Sequence, residues 1–462
     1  MAKAAWDRQS EKAVVSMQNE LLREQIRDSI APFSPLWRRR FAELNRKPSM
    51  VKTIEDLAAI PAMGERDVSP SGDPIGMSAL VLQAGEAGYT LHGKGPEIRK
   101  AMRVRATNKD AYRRIVDSDT RATSYVFTGH GFRYPIASTR NDLDVIARAG
   151  ARLWSVLGLT SNDVLLSALP PGATTDHVAL QYAATAAGAP ALFPGADAAS
   201  LQDAIRLAPP TVLAVATSTA PQILSELADL GSLRTLLLVG APTDAERIAA
   251  AHGLSRCGAP SNTVILGVHA PVGARVLWGE CRQSAGATGY HTYPDLEIIQ
   301  VVDPDSGEAT PGMGELVLTQ LEMRGSALLR WRTGDTVSAI AMAPCPSCGR
   351  SVPRATGLRR AAMFANLESG KSLDLRSIAG VMSSRPAVRD WRLVVGRRGR
   401  DGAMSTVIHY DAINPDDPAT AIAVATDIRH VTGTLPTQLV AATRDELATL
   451  SGTPVSARIL VG

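Results

Sequence analysis

The chain has 462 residues, 45% hydrophobic and 20% charged, a globular composition long enough for two or three domains. A formal net charge of +4 is too small for this length to point to nucleic acid, and no stretch approaches the ~20 apolar residues of a membrane span. Four cysteines do not make a disulfide framework, and the polar opening MAKAAWDRQSEK lacks an apolar signal core, so a cytoplasmic protein is expected.

Residues 9–48 read as helical, with Val14, Met17, Leu21, Leu22 and Ile26 at helical spacing. Thr53 and Asp56 suit a capping box that opens a short helix ending near Pro61. Residues 64–80, rich in Gly, Ser, Pro and Asp, read as loop. From about 120 the pattern alternates. Helices are expected over 141–157, 177–188, 220–230 and 244–253, and strands over 163–170, 211–217, 234–240 and 262–268. Continuous apolar strands between helices predict a parallel sheet covered on both faces. Ligands in such sheets sit at the carboxyl ends of the strands, which points to loops 240–243 and 268–274. After 275 the chain turns strand-rich, with DPDSGEATPGMGE as a hairpin connection. The last hundred residues read as a separate α+β unit. The clusters Arg38-Arg39-Arg40 and Arg397-Arg398-Gly399-Arg400 read as solvated faces.

Several short runs carry chemistry. WRTGD at 331–335 puts Asp335 on a tight turn at a strand end, where a carboxylate can accept two hydrogen bonds from a ribose diol; alone, such a Gly-Asp turn is a weak signal. Cys345-Pro-Ser-Cys348-Gly is a knuckle that turns two thiolates toward one ion, and Cys281 and His291 upstream would complete a tetrahedral set; the competing reading is reduced, buried cysteines and a surface histidine. Cys257 reads as packing only. Asp176 suits a helix N-cap, and His177 a helix start, with a base as the alternative.

The order GELVLTQL, RWRTGD, CPSCGRSVPRATG resembles the adenylate-forming (AMP-binding) superfamily, in its phenylacetate–coenzyme A ligase branch, over most of the chain. IEDLAAIP and DPDSGEATPGMGELVLT resemble that branch's opening and its usual hairpin. The resemblance implies an α/β fold with a large doubly wound N-terminal domain (1–356, of which 1–75 are mostly helical) and a small α+β C-terminal domain (357–462). It implies ATP with Mg2+, a small aryl or similar carboxylate, coenzyme A or another acceptor, a structural zinc on Cys281, His291, Cys345 and Cys348, and a homodimer. A diverged relative without adenylation, binding a small molecule or partner ligase or running another acyl or condensation reaction, is the alternative.

The motifs of such a ligase are altered here. FTGHGFRYP stands where the phosphate loop belongs: Thr128, Gly129, Gly131 and Arg133 are kept in kind, while His130 and Phe132 add bulk. Gly240 and Gly267 keep the glycines of the adenine-side loop and of the Tyr-Gly-x-Ser/Thr-Glu motif. Ala270 replaces that motif's magnesium-binding glutamate, and His269 is no substitute for a hard cation. In the hinge, Gly357 is kept, but Leu358, Arg360 and Ala361 replace Arg and two Asp. Val455 matches the adenylation lysine, and no lysine follows Lys371 in this sequence. Lys371 reads as a solvated loop residue, with a relocated catalytic cation as the alternative. No residue is assigned a catalytic role.

Overall fold

The computed structural model describes residues 6–68, 79–83, 103–111, 121–128, 134–169, 172, 174–284, 287–304, 306–360, 364–366, 372–375, 378, 381–382, 385, 387–397, 404–414, 417–432, 435–450, 453–456 and 459–461. Two compact units emerge: Met1–Asp163 with Gly172–Ala191 and Val268–Leu358, and Val164–Pro171 with Leu192–Gly267 and Arg359–Gly462.

The first unit begins with helix Glu11–Gln25, capped by the Ser10 hydroxyl, then a π-turn Ile26–Ile30 and helix Pro35–Glu43. Of the apolar stripe expected from the sequence, Val14, Leu22 and Ile26 are buried and Met17 and Leu21 half-buried. Leu22 and Ile26 pack with Ile30, Phe33, Trp37 and Phe41 into one core with Leu321, Leu328 and Trp331. Helix Ile54–Ala58 has the expected capping box, Thr53 with Asp56. Helix Arg140–Val156 opens on a second box, Thr139 with Asp142. It lies so close to helix Thr175–Ala187 that a Cβ on Gly150 would sit 2.5 Å from the Ala183 Cα. Thr174, not Asp176, caps the latter helix, accepting from the His177 amide at 3.4 Å. The threonine precedes the first helical residue, whereas Asp176 already lies within the first turn.

Two antiparallel ladders complete this unit. Glu297–Val302, Gly314–Gln320 and Trp331–Val337 form one, with 303–313 as the expected hairpin connection. In the other, the end of strand Val264–His269 pairs with Trp278–Glu280, followed by Tyr290–His291, Arg354–Thr356 and Ala339–Ala341.

In the second unit, strands Leu165–Ser167, Val212–Ala216 and Thr235–Val239 run parallel, as their unbroken apolar composition predicts. Their helices are Ala198–Leu207, Ala220–Glu226 and Asp244–Arg256. The middle one is shorter than expected because Leu227 turns extended (ψ 154°). Cys257 is only packing here, its thiol against the carbonyls of Leu224 and Gly253. The C-terminal α+β module has strands Val388–Arg397 and Met404–Ala412 antiparallel, flanked in parallel by Ile459–Val461 and Gln438–Ala441. Helix Pro418–Thr432 covers them through Val424 and Ile428. The α/β class with an α+β C-terminal module is thus as the sequence indicates. Among the described residues no helix is long and apolar enough to cross a membrane.

Candidate functional site

Asp335 does not sit on a turn at a strand end. It lies inside strand Trp331–Val337, where Thr333, Gly334 and Asp335 bulge opposite the single residue Leu316. Gly334 makes the bulge possible with φ +69°, a conformation that favours glycine. Thr333 holds it, its hydroxyl donating to the Leu316 carbonyl at 2.9 Å and accepting from the Asp335 amide at 3.1 Å. Burial alternates along the strand through the bulge, and Asp335 takes a buried position with Trp331, Thr333 and Val337. There Oδ2 meets Nε2 of His269, the last residue of its strand, at 2.7 Å, with side-chain exposures of 0% and 1%.

The root of the expected phosphate loop lies in the same unit. Strands Ser124–Thr128 and Tyr134–Ser138 are antiparallel, closing on the pair Thr128–Tyr134. The Thr128 hydroxyl accepts from the Gly273 amide at 3.3 Å. Gly273 has φ +88°, and a Cβ there would meet Leu328 and Trp331 at 2.7 and 2.9 Å. Tyr134 packs edge-on against Trp331, 5.7 Å between centroids. Both hairpin roots are therefore fixed to the strand of Asp335 and to loop 268–274. Gly129, His130, Gly131, Phe132 and Arg133 lie outside the described residues, as do Ala361 and Lys371. Thr175 of the neighbouring helix donates to the Ala274 carbonyl of the same loop. Burial lowers the His177 imidazole below its ordinary value. Gly240 (φ +116°) follows strand Thr235–Val239, and Gly267 lies in strand Val264–His269; both belong to the second unit. Val455 lies in the short strand Thr453–Ser456.

Cys281, His291, Cys345 and Cys348 come together, their ligand atoms all within 4.8 Å of one another. The Cys281 and Cys345 sulfurs are 3.9 Å apart, and Cys348 Sγ is 3.7 Å from His291 Nε2. A tetrahedral zinc with Zn–S of ~2.3 Å and Zn–N of ~2.0 Å has edges of ~3.8 and ~3.6 Å, so the spacing fits. The protonation states fit as well. Burial, with Arg350 and Arg354 nearby, holds His291 down to about 3, so it is the neutral imidazole that a metal needs. Burial pushes the Cys345 thiol up, but hydrogen bonds from Thr288 and from the Cys348 and Ser347 amides outweigh it and bring it to about 7. Burial raises Cys348. Gly349 (φ +72°) turns the knuckle.

The first described residues strap this knuckle. The Ser351 amide donates to the Asp7 carbonyl at 2.9 Å, and the Asp7 carboxylate pairs with Arg350 at 3.1 Å. Arg8 reaches the Gly349 carbonyl at 3.4 Å. Trp6 packs on the cysteine cluster and lies 5.7 Å from the Tyr293 ring, with the Arg152 guanidinium 4.8 Å from its own centroid. Neither this strap nor the His269–Asp335 pair is signalled in the sequence: they join residues 344 and 66 positions apart with no shared motif.

Residues 141–325 match the family model described as AMP-binding enzyme. A phenylacetate-coenzyme A ligase of Thermus thermophilus is 29% identical over 227 residues, 47% of this chain and 49% of that protein. The match thus spans about half the length of that curated relative. Among solved structures, 2-hydroxyisobutyryl-CoA ligase in the postadenylation state with R3-HIB-AMP aligns over 98% of this chain and 89% of that one, at 17% identity and TM-score 0.67. The same ligase with 2-HIB-AMP and CoA in the thioesterification state aligns over 98% and 89%, at 18% identity and TM-score 0.58. Family match, relative and fold together bear out the resemblance to the adenylate-forming superfamily, on its phenylacetate–coenzyme A ligase side.

Proposed function

We propose that this protein is an adenylate-forming, coenzyme A ligase-like protein that holds the ribose of ATP or AMP on Asp335 and activates a small carboxylic acid for transfer to coenzyme A or another acceptor. In that chemistry a carboxylate oxygen attacks the α-phosphorus of ATP, pyrophosphate leaves, and a thiol or other nucleophile then displaces AMP from the acyl-adenylate. The observation that carries the reading is the position of Asp335: a buried carboxylate at a bulge, on a strand that also anchors the hairpin of the expected phosphate loop. Ala270 offers no ligand where the glutamate of such ligases would hold magnesium, so no step is assigned to a metal at that position. The Cys281, His291, Cys345 and Cys348 cluster suits a structural zinc, because four protein ligands leave no open position for substrate.

Isothermal titration with ATP and AMP tests the reading. Hydrogen bonds to a charged group contribute ~1.5–3 kcal/mol, so Asp335→Ala should weaken binding roughly ten- to hundredfold. Unchanged affinity in that variant refutes the assignment. A second reading, a relative that binds the nucleotide without forming adenylates, is favoured by Ala270 and by the absence of lysine after Lys371. Nucleotide binding without pyrophosphate release across a panel of aryl and alkyl acids would select it.

A further inference from the structure

We propose that His269 is an internal latch on the nucleotide site: its imidazole occupies the Asp335 carboxylate that a ribose diol needs, and nucleotide enters only when the ring swings away. The proposal rests on the reading of Asp335 as the ribose ligand and adds what controls access to it.

Three observations carry it. Asp335 Oδ2 is engaged at 2.7 Å by His269 Nε2, and both side chains are sealed from solvent, so a diol has no path to the carboxylate while the pair is closed. The ring is held by that bond and by an edge contact with Tyr290, 6.4 Å between centroids, while its Nδ1 has no hydrogen-bond partner among the described residues. A buried nitrogen without a partner carries a desolvation penalty that is recovered when the ring turns into water. The closed pair is therefore opposed from within, as a latch that must open requires. Finally, His269 stands where the resembled motif has a small hydroxyl residue, and a serine or threonine at that Cα lacks the length of an imidazole to span to Asp335. The closed state lowers apparent affinity by the fraction of molecules that are open, without altering the contacts the open site makes.

The test is titration with AMP, which needs no metal and no turnover, on wild type, His269→Thr, His269→Gln and the double variant His269→Thr with Asp335→Ala, each checked for folding by thermal melting. His269→Thr should bind AMP about tenfold or more tightly than wild type. His269→Gln keeps a donor of comparable reach and should stay near wild type, which separates latching from a general loosening of the core. The double variant should lose the gain. If Asp335→Ala alone weakens AMP binding but His269→Thr binds no better than wild type, the latch is wrong and Asp335 still holds ribose. If His269→Thr binds better and the double variant keeps the gain, or if no variant binds AMP at millimolar concentration, the latch is overturned together with the ribose reading. If His269→Thr does not fold, His269→Gln and His269→Ala decide: equal AMP affinity in the two overturns the latch.

Discussion

Removing the metal from the cysteine–histidine cluster should release the amino-terminal strap. Trp6 rests on the cysteines and on Tyr293, and Asp7 and Arg8 bond to residues 349–351 of the knuckle. The knuckle closes on its own backbone bonds, from the Cys345 amide to the Arg350 carbonyl and from the Gly349 amide to the Cys345 carbonyl, both 2.8 Å, and a zinc shared by Cys345 and Cys348 would add to them. Each neutral hydrogen bond contributes ~1 kcal/mol, the ring contact ~0.5–1.5, and a mostly buried Asp7–Arg350 pair up to ~1. The strap is thus worth about 3 kcal/mol, which only balances a backbone entropy cost of ~1 kcal/mol for each of three residues at the lower bound and is too little to survive collapse of its platform. A zinc present at a hundred times its dissociation constant adds ~2.7 kcal/mol, which in a unit of this size corresponds to roughly 5–10 °C in melting temperature. We expect Cys348→Ser to lower the melting temperature by that amount and to copurify without zinc. Chelation of the wild type should shift tryptophan emission to the red, and Trp6→Phe should abolish most of the shift. Purified wild type without metal by elemental analysis, or a chelator-treated protein with unchanged emission and melting, refutes the reasoning.

Two further outcomes concern buried charge. Burial lifts the Glu297 carboxyl to about 8, against hydrogen bonds from the Trp278 indole and the Tyr293 backbone that favour ionisation. Its native pKa lies above the unfolded value, so the folded state binds the extra proton between pH ~4.5 and ~8 and stability falls as pH rises through that window. Glu297→Gln, which keeps an acceptor for Trp278, should be a few kcal/mol more stable than wild type at pH 8 and near equal to it at pH 4.5; parallel pH profiles in urea denaturation refute this. Asp142 accepts from Arg275 at 3.0 Å and from the amides of Thr139, Arg324 and Gly325 at 2.9, 2.8 and 2.7 Å, with Asp142 and Arg275 both fully buried. Asp142→Ala leaves the guanidinium uncompensated and should cost ~3–5 kcal/mol in the same assay, while a loss below ~1 kcal/mol would mean that Arg275 finds another partner.

What can be read from the sequence follows the range of the interaction. Thr53 with Asp56 announces its own helix because the bonds close within three residues. The parallel strands announce themselves because burial on both faces leaves no polar alternation. The metal cluster is legible for a different reason: cysteine and histidine are few here, and CxxC already fixes half of a tetrahedron. Where a side chain's partner lies elsewhere, the sequence is silent. Asp335 is expected on a turn because Gly-Asp favours turns, and the Leu316 carbonyl on the facing strand makes the same residues a bulge instead. The partner of His269 is decided by a strand end and a strand interior brought together by the fold. Asp176 is as good a cap by composition as Thr174, and only the helix phase chooses between them.

Two of the altered residues bear on the first half-reaction of the resembled ligases. Expelling pyrophosphate requires neutralising four phosphate charges and placing a cation at the α-phosphorus. The residues lost, the glutamate replaced by Ala270 and the lysine matched by Val455, serve that step in the resembled ligases. Among the described residues, the buried arginines of the first unit are already engaged: Arg275 is spent on Asp142, Gln320 and the carbonyls of Ala137 and Ser326, Arg330 on those of Ala58, Ile60 and Gly307, and Arg354 on those of Thr288 and Ala343. Moving any of them would strand a buried charge or orphan a carbonyl, at several kcal/mol. A single missing electrostatic contact typically raises a barrier by ~2.7–4 kcal/mol, about 10²–10³ in rate, and on the proposed reading the first half-reaction would carry a handicap of about that size for each. The second half-reaction, displacement of AMP from an acyl-adenylate, releases no pyrophosphate and needs chiefly a grip on the adenylate, the role proposed above for Asp335. On the proposed reading, handling a preformed acyl-adenylate is the chemistry that the changes at Ala270 and Val455 impair least.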